Sequence, residues 1–350
     1  MKKSLLIILI GLFVLLMSAC SSGETAKEGD TTEPVVQPEN TATPEPTATP
    51  EPTATPSPTV SPTPTPVVAS VSLSIPTKYT MPAVKGGKIE KISYMAHDYL
   101  GDGPEVEKFA YVYLPPDYDE SKQYNVLYLC HGIGGTENEW GLNSDKGSKV
   151  KRIMDNLIEN GDIEPFIVVT PNGKAFALSN TTGNDLFYKF GYELRNDLIP
   201  YIESHYSTYA EYDENGYDLT ATRTHRAMAG LSMGGMQTIN IGMCECLDIF
   251  SWFGAFSAAP TSYNSSKVKG IVEKSEYTVD FFYNICGKDD SIAYASASAA
   301  AKNLPTISDI FVENENFMWQ EKGGGHDFNI WYLGFYNFAQ IAFRGYTKYK

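Results

Sequence analysis

Gly230-Leu231-Ser232-Met233-Gly234 sets a serine between two glycines, directly after the apolar run Arg226–Gly230 and before the helix-compatible segment Gly235–Cys244. This G-x-S-x-G spacing at a strand-to-helix turn presents a hydroxyl on a sharp, strained bend. The N–H groups of the helix start then face developing negative charge. The chemistry such a turn can do is acyl transfer. A serine hydroxyl is a weak nucleophile, so it needs a base, and the base needs an orienting carboxylate. Sites built on this turn carry nucleophile, acid and base in that chain order. Of the five histidines only His326 lies C-terminal to Ser232, behind Gly323-Gly324-Gly325. The acid belongs on a loop after a late strand. The run Thr278–Cys286 ends at Gly287-Lys288-Asp289-Asp290, where spacing does not choose between Asp289 and Asp290. Asp327, adjacent to His326, is expected to point elsewhere.

Acyl transfer also requires donors for a tetrahedral oxyanion. One is the N–H of the residue after the nucleophile, Met233. The second belongs to an early strand-end loop, and His131-Gly132-Ile133-Gly134-Gly135 has the glycines that let backbone approach a substrate. The Ile133 N–H is the nominee and Gly134 the alternative. His131 is expected to brace this loop rather than transfer protons.

These residues need a scaffold. Lys88–Ala96, Lys108–Leu114, Tyr124–Cys130, Phe166–Thr170, Arg226–Gly230, Phe250–Phe256, Thr278–Cys286 and Phe317–Gln320 read as strands, several as continuous apolar runs suited to burial on both faces. Helical periodicity marks Ser148–Asn160, Leu194–His205, Gly235–Cys244, Ser291–Asn303 (stopping before Pro305) and Phe328–Phe343. Alternating β and α elements predict an α/β fold, a mostly parallel sheet with helices on both faces and ligands at the carboxyl ends of the strands.

The first 68 residues are of another kind. Met1-Lys2-Lys3, the apolar run from Leu5 to Met17 and Ser18-Ala19-Cys20 follow the order of a secretory signal, and the apolar run is short for a membrane span. Met17-Ser18-Ala19-Cys20 resembles a bacterial lipobox. Residues 1–20 are thus expected to be a lipoprotein signal with Cys20 as the lipidated residue, and the chain an exported lipoprotein held at the cell surface by its lipid. Residues 21–68 contain no aromatic side chain, 11 of the 21 prolines, and near-copies of Thr-Ala-Thr-Pro-Glu-Pro at 41–58. Such a segment cannot bury enough apolar area to offset its ordering entropy, which predicts an extended spacer. That leaves 69–350 as the folded domain.

The 42 acidic and 27 basic residues give a net charge of −15. This excludes a nucleic-acid binder that tracks phosphates, which needs clustered Lys and Arg, and it favours an uncharged partner. Cys130 and Cys286 lie in apolar runs and read as small core residues, and Cys244 and Cys246 are too close to staple a framework; no zinc-type spacing occurs.

HGIGGTENEW at 131–140, TPNG at 170–173, LIPYIESHYS at 198–207, HRAMAGLSMGGMQT at 225–238, CGKDDS at 286–291 and GGGHDFNIW at 323–331 together resemble carbohydrate esterase family 1. Within it they are most similar to the feruloyl esterase domains attached to bacterial xylanases, over about 100 to 345. The resemblance implies an α/β-hydrolase fold, a Ser232–Asp290–His326 triad, and no metal or other cofactor. It favours Asp290 because the family's acid is the second acidic-type position of that turn; Asp289 stands where the family often has Asn. It further implies cleavage of feruloyl esters on plant cell-wall arabinoxylan, with an acetyl-xylan or general carboxylesterase as the alternative. A reading of another class is a surface carbohydrate-binding lipoprotein on an inactive hydrolase fold. Trp140 and Trp331 are nominated as pocket aromatics for a feruloyl ring or sugar face.

Overall fold

The computed structural model describes residues 70–176, 185–213 and 216–344. The expected signal, Cys20 and the spacer lie outside the described residues. Eight strands form one sheet: β1 (Lys88–Ala96), β2 (Val106–Leu114), β3 (Asn125–Cys130), β4 (Phe166–Pro171), β5 (Arg226–Leu231), β6 (Trp252–Phe256), β7 (Phe281–Gly287) and β8 (Phe317–Lys322). Their spatial order is β1-β2-β4-β3-β5-β6-β7-β8. The β1–β2 and β2–β4 pairs are antiparallel, and every later pair is parallel. A two-stranded hairpin pairs Tyr212–Asp213 with Gly216–Tyr217 outside this sheet.

The parallel strands are continuous apolar runs because both their faces are covered. β4, β5, β6 and β7 are buried at every position, whereas the edge strand β1 alternates buried and exposed residues. Alternation along each strand sends Val126 and Tyr128 into one core layer and Leu127 and Leu129 into the other. The second layer is closed by α1 (Lys149–Glu159) and by α6 (Phe328–Ile341). Ser148 caps α1, its hydroxyl accepting from the Lys151 N–H at 3.1 Å. The first layer is closed by α2 (Ile199–His205), α4 (Ser265–Val272) and α5 (Tyr294–Ile307), among others. The short helix α3 (Met233–Gln237) follows β5 directly. Among the described residues no helix is long and apolar enough to cross a membrane.

Three helical expectations need correction. The segment expected as one helix over Leu194–His205 begins at Phe190–Glu193, widens into a π-helical stretch at Leu194–Leu198 and only then becomes α2. Pro200 has no N–H and its ring crowds the carbonyl four residues back, and a wider turn just before it relieves that conflict. The helix over Gly235–Cys244 likewise divides, with α3 followed by a π-helical stretch at Thr238–Met243. Finally, α5 runs through Pro305 instead of stopping before it. In the last turn, proline forfeits a single ladder bond, and the Ser308 N–H still reaches the Leu304 carbonyl at 3.2 Å.

Candidate active site

Three strand ends on the carboxyl edge of the sheet supply the site. Ser232 follows β5, Asp290 follows β7, and His326 lies between β8 and α6. Ser232 occupies the left-handed region at φ 51°, a conformation that non-glycine residues hold only when their surroundings over-determine it. Here they do. The Ser232 N–H donates to the Phe256 carbonyl at 2.9 Å, and the Ser232 carbonyl accepts from the Met236 and Ala259 N–H groups at 3.0 and 2.9 Å. The flanking glycines are required sterically. A Cβ at Gly230 would lie 2.5 Å from the Gly234 carbonyl carbon, and one at Gly234 would lie 2.5 Å from the Cys130 oxygen.

The His326 ring spans the other two residues. Its Nε2 lies 3.0 Å from Ser232 Oγ and its Nδ1 2.7 Å from Asp290 Oδ2. A carboxylate only accepts, so Nδ1 carries the proton and Nε2 is left to accept from the serine hydroxyl. Asp290 Oδ1 accepts from the Ile292 and Ala293 N–H groups at 3.0 and 2.8 Å. Burial works against the Asp290 charge, but the Ala293 N–H, His326 and the Ser257 hydroxyl outweigh it and hold its pKa below the ordinary value. Ser257 itself has a left-handed φ of 46°. The Cys286 thiol, pushed up to about 12 by burial and then by the Asp290 charge, also touches Asp290 Oδ2 at 3.6 Å.

Geometry separates the two aspartates that spacing could not. Asp289 turns away from the imidazole and accepts from the Gly324 N–H at 3.0 Å. Asp327 also points elsewhere, capping α6 through the Asn329 N–H at 2.7 Å.

The Met233 N–H is the first of α3 and has no partner within the helix. Gly132 lies against Ser232, since a Cβ there would sit 3.2 Å from Ser232 Cβ. The Gly132 N–H is engaged by Glu139 Oε2 at 2.8 Å, and its carbonyl accepts from the Gly135 N–H at 3.1 Å. This turn carries Ile133, a side chain 61 % exposed, and Gly134 at φ 77°, the position at which a tight turn of this type selects glycine. His131 is buried and braces the turn. Gly173 N–H donates to its Nε2 at 3.1 Å, so its Nδ1 carries the proton and donates to the Gly132 carbonyl at 2.7 Å. Burial pushes the His131 pKa down to about 4.

The two tryptophans are not open to a ligand. Trp140 has no exposed surface, and its indole N–H donates to the Cys130 carbonyl at 3.0 Å. The expectation that it lines a pocket is corrected: Phe256, Phe328, Tyr332 and Phe335 surround its ring. Trp331 is 7 % exposed and meets the His326 ring edge-on at 5.1 Å, which makes it a wall for the imidazole rather than an open platform. Sequence reading missed Glu139, Ser257 and Gln237, whose Nε2 donates to the Gly173 carbonyl at 2.6 Å. Glu139 falls within the 131–140 motif, but nothing in its spacing shows that it turns back onto Gly132.

A cavity of about 1520 Å³ opens at the opposite edge of the sheet, lined by residues including Asn125, His225, Trp252, Asp280 and Asn316. It contains neither Ser232, Asp290 nor His326, and it lies at the amino ends of the parallel strands, away from the edge where sheets of this class gather ligands.

A mixed eight-stranded sheet of this order, with Ser232, Asp290 and His326 at its carboxyl edge, defines an α/β-hydrolase fold. Over residues 105–332 the chain matches the family model described as "Putative esterase", and it belongs to that esterase family. It is 35% identical over 239 residues to endo-1,4-beta-xylanase Y of Acetivibrio thermocellus, covering 66% of this chain and 20% of that protein. It is 29% identical over 245 residues to an endo-1,4-beta-xylanase/feruloyl esterase of Xylanibacter ruminicola, covering 67% and 29%. The chain thus spans less than a third of the length of these two relatives. Among solved structures, a serine-to-alanine mutant of the feruloyl esterase module from Clostridium thermocellum, complexed with sinapinate, superposes with a TM-score of 0.67 at 28% identity, covering 82% of this chain and 98% of that one. A carbohydrate esterase family 1 ferulic acid esterase from Anaeromyces mucronatus, in complex with ferulic acid, gives 0.63 at 26% identity, covering 78% and 98%. The resemblance to carbohydrate esterase family 1 is borne out.

Proposed function

We propose that the protein is a serine esterase that releases ferulate from feruloylated arabinoxylan through an acyl-enzyme. The observation that carries this reading is the placement of one imidazole between Ser232 Oγ at 3.0 Å and a buried Asp290 carboxylate at 2.7 Å. In the first step His326 Nε2 takes the Ser232 proton as Oγ attacks the ester carbonyl. The Met233 and Ile133 N–H groups hold the oxyanion, and each such donor is worth roughly 3 kcal/mol in comparable sites. Asp290 keeps the proton on Nδ1 and stabilises the imidazolium. His326 then protonates the departing sugar oxygen as its bond to the acyl carbon breaks, and the sugar leaves as a free hydroxyl. Water, deprotonated by the same nitrogen, releases the acid and restores Ser232.

The acyl preference draws on the relatives, two of which were solved with sinapinate and ferulic acid. It also draws on the apolar ground beside the nucleophile, where Met233, Met236, Phe187 and Ala259 cluster and the Ile133 side chain stands exposed. The net charge of −15 suits a largely uncharged polymer. Attachment to a membrane through lipid on Cys20, with 21–68 as spacer, is part of the same proposal and places the enzyme at the cell surface. Two measurements test the activity: ferulate released from feruloylated arabinoxylan against acetate released from acetylated xylan, and turnover of methyl ferulate by Ser232→Ala. Loss of about 10⁶-fold in kcat with an unchanged fold is expected. A Ser232→Ala protein that hydrolyses methyl ferulate at the wild-type rate would overturn the mechanism.

A further inference from the structure

Lys108 and Glu193 form a buried ion pair with 6% and 0% exposed side-chain surface. Breaking even with an apolar pair is the most such a pair ordinarily achieves for stability, so its geometry matters more than its charge. The Lys108 ammonium lies 2.6 Å from both Glu193 oxygens, 3.0 Å from the Asn172 carbonyl and 2.6 Å from the Lys174 carbonyl. Its donors therefore bracket a single residue, Gly173. That bracket aims the Gly173 N–H at His131 Nε2, 3.1 Å away. The Gly173 carbonyl is held from the other side by Gln237 Nε2 of the nucleophile helix at 2.6 Å. Through its Nδ1–H, His131 grips the Gly132 carbonyl, which closes the turn carrying Ile133. Lys174 Nζ adds a direct tie to the Gly135 carbonyl at 3.0 Å.

We infer that the Lys108–Glu193 pair is a positioning device for the oxyanion loop, acting through the backbone at Gly173 and the imidazole of His131. It touches no substrate. Its effect is to fix where the Ile133 N–H stands relative to Ser232 Oγ. An apolar pair could fill the same space but could not hold two carbonyls on either side of one residue. The inference rests on the serine mechanism proposed above.

The test begins with the full-length wild type and an arylboronic acid, which adds to a serine oxygen and puts a negative oxygen where the oxyanion would be. An uninhibited wild type would overturn the serine mechanism, and this inference with it. The variant is Lys108→Met/Glu193→Met, which removes both charges and keeps the volume. On methyl ferulate its kcat is expected to fall tenfold or more with KM within twofold of wild type. Its affinity for the boronic acid should fall by a similar factor, while inhibition by the product ferulate stays the same. A purely structural pair would lower the melting temperature and leave these ratios alone. A folded double variant with wild-type kcat and boronate affinity would overturn the inference. If that variant does not accumulate, Lys108→Gln/Glu193→Gln is read by the same criteria.

Discussion

Asp289 and Gly324 are joined by a reciprocal pair of hydrogen bonds. The Asp289 N–H donates to the Gly324 carbonyl at 3.0 Å, and the Gly324 N–H donates to Asp289 Oδ2 at 3.0 Å. The Lys288 N–H adds a bond to the Lys322 carbonyl at 2.7 Å. The loop bearing Asp290 is thereby fastened to the loop bearing His326. Neighbouring aspartates consequently have different tasks, one facing the imidazole and the other fixing the distance between the loops.

Substitution should separate these tasks. Asp290→Asn removes the charge that orients and stabilises His326, and kcat is expected to fall about 10⁴-fold. Asp289→Ala removes the side-chain half of the loop-to-loop tie and leaves its backbone bonds, and a shift of the imidazole by a fraction of an ångström should lower kcat by about 10- to 100-fold. Asp289→Asn keeps an oxygen acceptor for the Gly324 N–H and should restore most of the rate. Steady-state kinetics on methyl ferulate would decide it; equal losses in Asp289→Ala and Asp289→Asn would refute the tie.

His131 predicts a pH dependence of stability. Burial, the leading cause, lowers its pKa from 6.5 to about 4, and the Lys174 and Lys108 charges act in the same direction, while the Gly132 carbonyl and Glu137 oppose them. The unfolded chain therefore binds more protons at this site between these values. The stabilisation is present in full above about pH 6.5 and is lost as pH falls toward 4, amounting to roughly 3 kcal/mol. Urea unfolding of wild type and His131→Gln at pH 7 and pH 4.5 measures it. The wild-type advantage should shrink by most of that amount at the lower pH, and a difference independent of pH would count against a neutral, buried His131.

Gly234→Ala should be far more harmful than an ordinary helix substitution. Its Cβ would fall 2.5 Å from the Cys130 oxygen and 2.7 Å from the His131 oxygen, both backbone atoms that cannot swing aside. A stability loss of about 1–3 kcal/mol is expected from overpacking of this kind. The turn at Ser232 and the loop from His131 to Gly135 would be pushed apart, so under the proposed mechanism kcat should fall as well. Thermal unfolding and kinetics on the same sample would check both, and a fully active, equally stable variant would contradict the contact.

Trp331 offers a two-sided test. Its indole N–H is buried and finds no hydrogen-bond partner among the described residues, while its ring supports His326 edge-on. Trp331→Phe keeps an aromatic edge and discards the unsatisfied donor, so stability should hold or rise by up to about 1 kcal/mol. Trp331→Ala opens a cavity beside the imidazole and should cost about 3–5 kcal/mol. Melting curves of the two variants give the comparison.

Much of this was legible in the chain itself. The strands showed as continuous apolar runs because burial on both faces leaves no room for alternation. Ser232 and His326 could be nominated because a nucleophile turn imposes glycines and because chain order excluded the other histidines, and the fold sets them 3.0 Å apart. Asp289 and Asp290 could not be separated by spacing, since side chains one residue apart diverge according to backbone geometry; the deciding feature is the pair of N–H groups from Ile292 and Ala293 that turn Asp290 inward. Trp140 misled for a related reason. An aromatic beside a glycine loop can face either way, and its indole N–H finds the Cys130 carbonyl inside. The helix α4 was missed because it is short, and Val268 and Val272 are the large apolar residues it buries.

The separation of the site residues along the chain has a consequence for the order of events in folding. Ser232 and His326 lie 94 residues apart, and Asp290 and His326 lie 36 apart. They come within bonding distance only once β5, β6, β7 and β8 stand side by side, four parallel strands whose pairings are all non-local and therefore slow to close. No fragment ending before β8 can hold the imidazole, and no local nucleus contains two of the three groups. Esterase activity thus reports the completion of the sheet, and on refolding it should return last.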